Sequence, residues 1–107
     1  MKKYKTLQEL FSNPRRWTKG SYAKNKSGDL VSVSSEQAVC FCLYGGADAV
    51  YGFNLTNKKL HMVLNKLTKF VTKRLVIADI DNALEEYNDH PKTTIKDIQS
   101  LVKEANV

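Results

Sequence analysis

Asn57-Lys58-Lys59-Leu60-His61-Met62-Val63-Leu64-Asn65-Lys66-Leu67-Thr68-Lys69-Phe70-Val71-Thr72-Lys73-Arg74-Leu75 decides the fold. Leu60, Val63, Leu64, Leu67, Phe70 and Val71 recur at intervals of three and four, one unbroken apolar face at helical period. Lys58, Lys59, Lys66, Lys69 and Lys73 fall on the other side. A helix of this length with one greasy face must be covered by others, so the chain is expected to be mainly α-helical.

The flanking sequence supplies the partners. Ala78 to Tyr87 predicts a helix with Ile80, Leu84 and Tyr87 inward and its acids outward, closed by Asn88-Asp89-His90-Pro91. Thr94-Ile95-Lys96-Asp97 has the form of a capping box, opening a last helix that buries Ile95, Ile98, Leu101, Val102 and Ala105. Towards the N-terminus, Thr6 to Asn13 reads as a short helix stopped by Pro14, because the residue before proline is pushed out of helical geometry. Ser34-Ser35-Glu36-Gln37 also has cap chemistry, and a buried helix is expected behind it through Ala38, Phe41, Cys42, Gly45, Gly46 and Ala49. Paired helix glycines cost about 1 kcal/mol each relative to alanine, so they predict close packing against bare backbone. Between these helices, turn residues Asn25 to Asp29 separate two β-prone runs. The expectation is a compact bundle of about five helices with a small β-hairpin near residues 20–33, in one domain over residues 1–107.

Composition bounds the class. The chain has 107 residues, 42% apolar and 26% charged, which is globular and large enough to fold without staples or metals. No apolar run approaches the roughly 18 residues of a membrane span. Met1 to Lys5 is basic but lacks the apolar stretch of a signal peptide, so a cytoplasmic protein is expected. Cys40 and Cys42 would point about 200° apart on a helix and could not bridge, which fits buried thiols in a reducing compartment.

Net charge is +6, and it is polarised along the chain. Residues 1–26 carry eight lysines and arginines against one acid, and residues 58–74 carry six against none. Residues 75–90 then carry five acids and no lysine or arginine. Such a layout suits either a polyanion-binding face or two elements that pair electrostatically.

Several fragments, taken in order, resemble a known family. They are Trp17-x-x-Gly20-x-Tyr22-Ala23, a glycine turn at Gly28, Ala38-x-x-x-Cys42-x-x-Gly45, Asn88-Asp89-x-Pro91-x-Thr93, and a short final helix ending at Ala105. Over residues 17–105 this order and spacing is similar to a family of small bacterial and phage proteins, domain of unknown function 6197. One departure is Gly45-Gly46, where the family pattern has Gly-Ala. The resemblance brings no activity or catalytic residues. It implies a phage or mobile-element origin, action on host machinery, and a buried anchoring role for Trp17.

Candidate chemistry is sparse. Cys42 could act as a nucleophile with His90 as base and Asn88 or Asp89 as orienter, a cysteine-dependent hydrolase. Two turns into an apolar helix, however, it reads as a packing residue, and Trp17, Cys42 and Gly45 are expected to be structural. Two cysteines on opposite helix faces and distant His61 and His90 predict no metal site and no cofactor. Asn88, Asp89 and His90 form the candidate polar cluster, with Asp89 able to accept from the Trp17 indole N–H or pair with Arg16. Lys59, Lys66, Lys69 and Lys73, with Arg15 and Arg16, form the candidate basic binding surface. The leading expectation is a non-enzymatic binding module engaging a host protein, with no membrane partner. A small nucleic-acid-binding protein using the same cations is the alternative.

Overall fold

A computed structural model describes residues 4–52 and 58–107. Five α-helices and a two-stranded antiparallel sheet make up the described fold: α1 Leu7–Leu10, β1 Ala23–Lys24, β2 Cys40–Phe41, α2 Leu43–Tyr51, α3 Lys58–Arg74, α4 Ala83–Asp89 and α5 Ile95–Glu104. The mainly helical class with a small antiparallel sheet is thus observed. Asn57, the expected first residue of the long helix, lies outside the described residues.

α3 is the spine. Leu60, Val63, Leu67 and Val71 are buried, with Leu64 and Phe70 half-buried at the edges of the same face. α2, α4 and α5 all pack on it, and α1 closes the far side against α2 and α5. The α5 capping box forms as expected, the Thr94 hydroxyl and Asp97 carboxylate each taking the other's backbone N–H. Ile98, Leu101 and Val102 are fully buried beneath it. Each such side chain contributes roughly 1.5–3 kcal/mol of apolar burial.

Three boundaries differ from expectation, each for a local reason. α1 stops at Leu10 rather than Asn13, because Ser12 and Arg16 side chains donate to the Glu9 carbonyl at 2.7 and 3.3 Å. Those bonds satisfy a helix end that would otherwise continue. Before α4, Asp79 caps a 3-10 turn over Ile80–Asn82, and the Glu86 carboxylate accepts the Asp79 N–H at 3.2 Å. Ile80, expected inward, is therefore turned outward and 58% exposed.

The largest correction concerns α2. It begins at Leu43, not after Ser34. The cap expected of Ser34 with Gln37 is not what forms: the Ser34 hydroxyl pairs with Ser32 at 2.9 Å, and the Ser35 hydroxyl accepts the Gln37 N–H at 3.1 Å in an isolated turn. Ala38 to Phe41 run extended instead. Cys40–Phe41 pair with Ala23–Lys24, and the Thr18 N–H donates to Phe41. The expected hairpin is reduced to a tight turn at Asn25–Asp29 and a single Lys24–Leu30 bridge. Long-range pairing with β2 outcompetes local cap propensity.

That pairing lays Tyr22 across the start of α2, where Gly45 and Gly46 receive two neighbours. A Cβ at Gly45 would overlap the backbone carbonyl of Tyr22, whereas one at Gly46 would meet the side-chain ends of Phe11 and Leu10. Both glycines therefore serve close packing, as the sequence suggested. Among the described residues, no helix is long and apolar enough to cross a membrane.

Candidate functional site

The α3 lysines stand where the periodicity puts them. Lys58, Lys59, Lys66, Lys69 and Lys73 are all exposed. At 3.6 residues per turn they occupy an arc of roughly 100° and span about 22 Å along the axis. Lys59 lies 5.7 Å above the Tyr51 ring and Lys73 5.1 Å above Phe70, while Lys58, Lys66 and Lys69 have no such partner among the described residues. These three line one shallow groove with His61, Met62 and Asn65.

The acidic segment does not neutralise them. Among the described residues the one ion pair is Arg74 with Glu104, at 3.1 Å. Most carboxylates of residues 79–89 are engaged elsewhere: Asp79 caps its own turn, Glu86 accepts backbone N–H groups, and Glu85 accepts the Tyr22 hydroxyl at 3.1 Å. Asp89 accepts the Gly20 N–H at 3.0 Å. Electrostatic pairing of the two segments, one reading of the charge pattern, is absent among the described residues.

The N-terminal cations divide. Arg15 is exposed, but Arg16 stacks 4.7 Å over Tyr4 and donates to the end of α1. Lys19 donates to the His90 carbonyl at 2.7 Å. Neither arginine shares a described groove or a hydrogen bond with the α3 lysines among the described residues.

The polar cluster is built around Asn88, which is 1% exposed. Its Oδ1 accepts the Trp17 indole N–H at 2.7 Å and the Leu43 N–H at 3.0 Å. Its Nδ2 donates to the Thr18 carbonyl at 3.0 Å and to Asp89 Oδ1 at 2.9 Å. Two donors on one side and two acceptors on the other fix the amide's orientation. The partner of Trp17 is thus Asn88, not Asp89, and Asp89 does not pair with Arg16. Trp17 itself is half-buried. This network ties the first loop, the start of α2 and the end of α4 together, and leaves Asn88 no free hydrogen-bonding capacity for a ligand.

Cys42 occupies a place the sequence reading missed. It is the N-cap of α2, its Sγ accepting the Gly45 N–H at 3.3 Å, rather than a residue two turns inside a helix. Both thiols are free, Cys42 buried and Cys40 half-buried. A cavity of about 170 Å3 opens beside Cys42, lined also by Gly20, Ser21, Tyr22, Glu85 and Asp89. Histidine is not among its walls, and the His90 ring Nδ1 accepts the Lys92 N–H at 3.1 Å. The cysteine–histidine–asparagine arrangement is therefore not assembled. Burial pushes the thiol pKa up, and Asp89 and Glu85 add to the rise, while the Gly45 and Tyr44 N–H groups oppose it. A thiol held protonated is a poor nucleophile at neutral pH.

The same rise has a stability consequence. A pKa raised in the folded state stabilises fully below the unfolded value and is lost as pH climbs through the folded one. Unfolding free energy should therefore fall above pH 9.0, the thiol's ordinary value. Tyr51 and Tyr22, also raised, add above 10.0. Cys42→Ser should flatten the first part of this decline in urea titrations at stepped pH. An identical slope in both proteins would remove Cys42 from the account.

A third group of residues escaped the sequence reading. Tyr22 and Tyr44 pack ring to ring at 5.4 Å, and both are exposed, as are Ile80 and Met62. A second groove, lined by Tyr44, Ile80, Leu64, Asn65 and Glu85, lies between α3 and α4. It shares Glu85 with the Cys42 cavity and Asn65 with the lysine groove. The three depressions are linked by these shared residues, with Glu85 and Asp89 at the Cys42 end, Tyr44 and Ile80 beside Asp81 in the middle, and lysines along α3. No motif announced this surface, since its members come from four separate segments.

No curated protein and no solved structure matches the chain. The model of one family does, a family of unknown function (DUF6197), over residues 6–106. That match spans nearly the whole chain and takes in Trp17, Cys42, Gly45 and Asn88. The chain belongs to the DUF6197 family.

Proposed function

We propose that the protein is a non-enzymatic binding module, of phage or mobile-element origin, that engages a host protein in the cytoplasm through this bipolar surface. The observation that carries the reading is the run of exposed, unneutralised lysines on α3, continuous through Asn65 with Tyr44 and Ile80. Tyrosine and methionine are favoured at protein interfaces, and flanking charges select the partner and speed encounter. Two free thiols suit a reducing compartment.

A nucleic acid would use the same lysines, but it wants aromatics interleaved with cations for base stacking. Here the exposed tyrosines lie on the acidic side, with Tyr22 bonded to Glu85 and both carboxylates of the Cys42 cavity nearby. Phosphates would be repelled from the only exposed aromatic pair among the described residues.

Reversing Lys66 and Lys69 to Glu tests the reading. Stability should change by less than about 0.5 kcal/mol, as for surface positions without partners. Capture of the partner from nuclease-treated host lysate should fall at least about tenfold, since like-charge contacts at an interface cost more than 1.4 kcal/mol. Capture that survives the reversal, or that vanishes with nuclease, overturns the proposal. In the second case, steeply salt-dependent binding of the purified chain to DNA would install the nucleic-acid reading.

A further inference from the structure

The three linked depressions carry a charge layout unlike that of the chain as a whole. Lys58, Lys66 and Lys69 line one end and Asp81, Glu85 and Asp89 line the rest, so the lining has no net charge in a chain of net charge +6. The two signs do not meet within the molecule, since Arg74 with Glu104 is the one ion pair among the described residues. Lys66, Lys69 and Asp81 are exposed, and none of their charged groups has a hydrogen-bond or ion-pair partner among the described residues.

Apolar surface separates the two signs. Tyr44, Met62 and Ile80 are 38%, 46% and 58% exposed, and with Tyr22 they make four of the seven large exposed apolar side chains among the described residues. Single exposed apolar residues are ordinary, whereas a cluster rimmed by polar groups marks an interaction surface. Tyr44 and Ile80 share the middle groove with Asn65, which also lines the basic groove beside Met62, Lys66 and Lys69.

A surface laid out in this way is its own complement. A half-turn about an axis through the apolar centre carries the basic end of one copy onto the acidic end of the other, and does so twice. Both signs are already present on the chain, in equal number, whereas an unrelated partner has to supply the matching pattern from its own sequence. Exposed ion pairs add little each, so the charges fix orientation and exclude wrong registers while the apolar centre supplies adhesion.

We propose that this surface binds a second copy of the chain, forming a twofold dimer with Tyr44 and Ile80 near the axis and Lys66 and Lys69 of each copy facing Asp81 of the other. The inference goes beyond the host-protein reading. Self-association closes the surface when no other protein is present, and a host protein has to displace the second copy to reach α3.

Sedimentation equilibrium of the purified chain at about 0.1–1 mM, the range of weak interfaces, tests the proposal. The mass of the parent should approach twice 12.1 kDa. Lys66→Glu together with Lys69→Glu, and separately Asp81→Lys, should each raise the dimer dissociation constant at least about tenfold, because each sets like charges against one another at both halves of the contact. An equimolar mixture of the two variants should recover dimerisation to within about threefold of the parent, because every contact in the mixed pair again joins opposite signs. A folding defect in either variant cannot produce that recovery. A parent that stays at 12.1 kDa overturns the proposal. So does a dimer that either variant keeps at parental strength, or a mixture that stays monomeric. Masses that climb past two copies overturn the twofold arrangement, since a head-to-tail contact does not close on itself at two. Only purified chains are weighed, so loss of self-association and loss of capture from host lysate are separate results.

Discussion

Gly45→Ala should destabilise the protein by more than about 4 kcal/mol, the range reserved for a few severe mechanisms. Its new methyl would overlap the Tyr22 carbonyl, a backbone atom that cannot rotate away. That carbonyl also accepts the Cys42 N–H at 3.3 Å, so displacing it strips the entry to α2 of a bond. It would in addition pull β1 from β2, because Ala23 and Lys24 follow directly. Gly46→Ala is the control. Its methyl meets the ends of Phe11 and Leu10, flexible groups that can shift, and overpacking of that kind costs about 1–3 kcal/mol. Urea denaturation of both variants separates the cases. If Gly45→Ala is no less stable than Gly46→Ala, the close approach of Tyr22 is not what holds that glycine in place.

Asn88→Ala should be nearly as damaging, at about 4 kcal/mol. Truncation removes four hydrogen bonds at once and leaves the Trp17 indole N–H, the buried Leu43 N–H and the Thr18 carbonyl without partners. Each stranded group costs roughly 1–3 kcal/mol, with water able to rescue the more open ones. Near-ultraviolet circular dichroism should register the release of Trp17 alongside the lowered urea midpoint. A loss below about 1 kcal/mol, with the tryptophan signal intact, would show that the loop holds its shape without this side chain.

Much of the bundle was legible because its information is local. The α3 face, the Thr94–Asp97 capping box and the apolar stripe of α5 each lie within a few turns of chain, where period and cap chemistry speak directly. Misplacing the start of α2 had the opposite cause. Ser35 makes its cap-like bond, yet Ala38 to Phe41 are drawn straight by partners some seventeen residues away in sequence. Asn88 was recognised as polar and loop-forming, but its bond to Trp17 crosses 71 residues. The candidate surface shows the same division. Lys66 and Lys69 could be assigned from helical phase alone. Ser21, Tyr22, Tyr44, Cys42 and Glu85 could not, because only the folded chain brings them to one place, and each is an ordinary residue in its own segment.

The packing of α1 against α5 bears on how the molecule comes into being. Leu7, Leu10 and Phe11 have no exposure in the finished fold, and Gln99 closes over them by donating to the Phe11 carbonyl across 88 residues. A ribosome delivers chain at about 5–20 residues per second and from one end only. α1 therefore waits roughly several seconds, its apolar face uncovered, for the α5 helix that shields it. During that interval α2 can offer Gly46 as a partial seat, but the core stays open. The core that joins α1 to α5 therefore closes only once α5 has been made, although each helix is local in sequence.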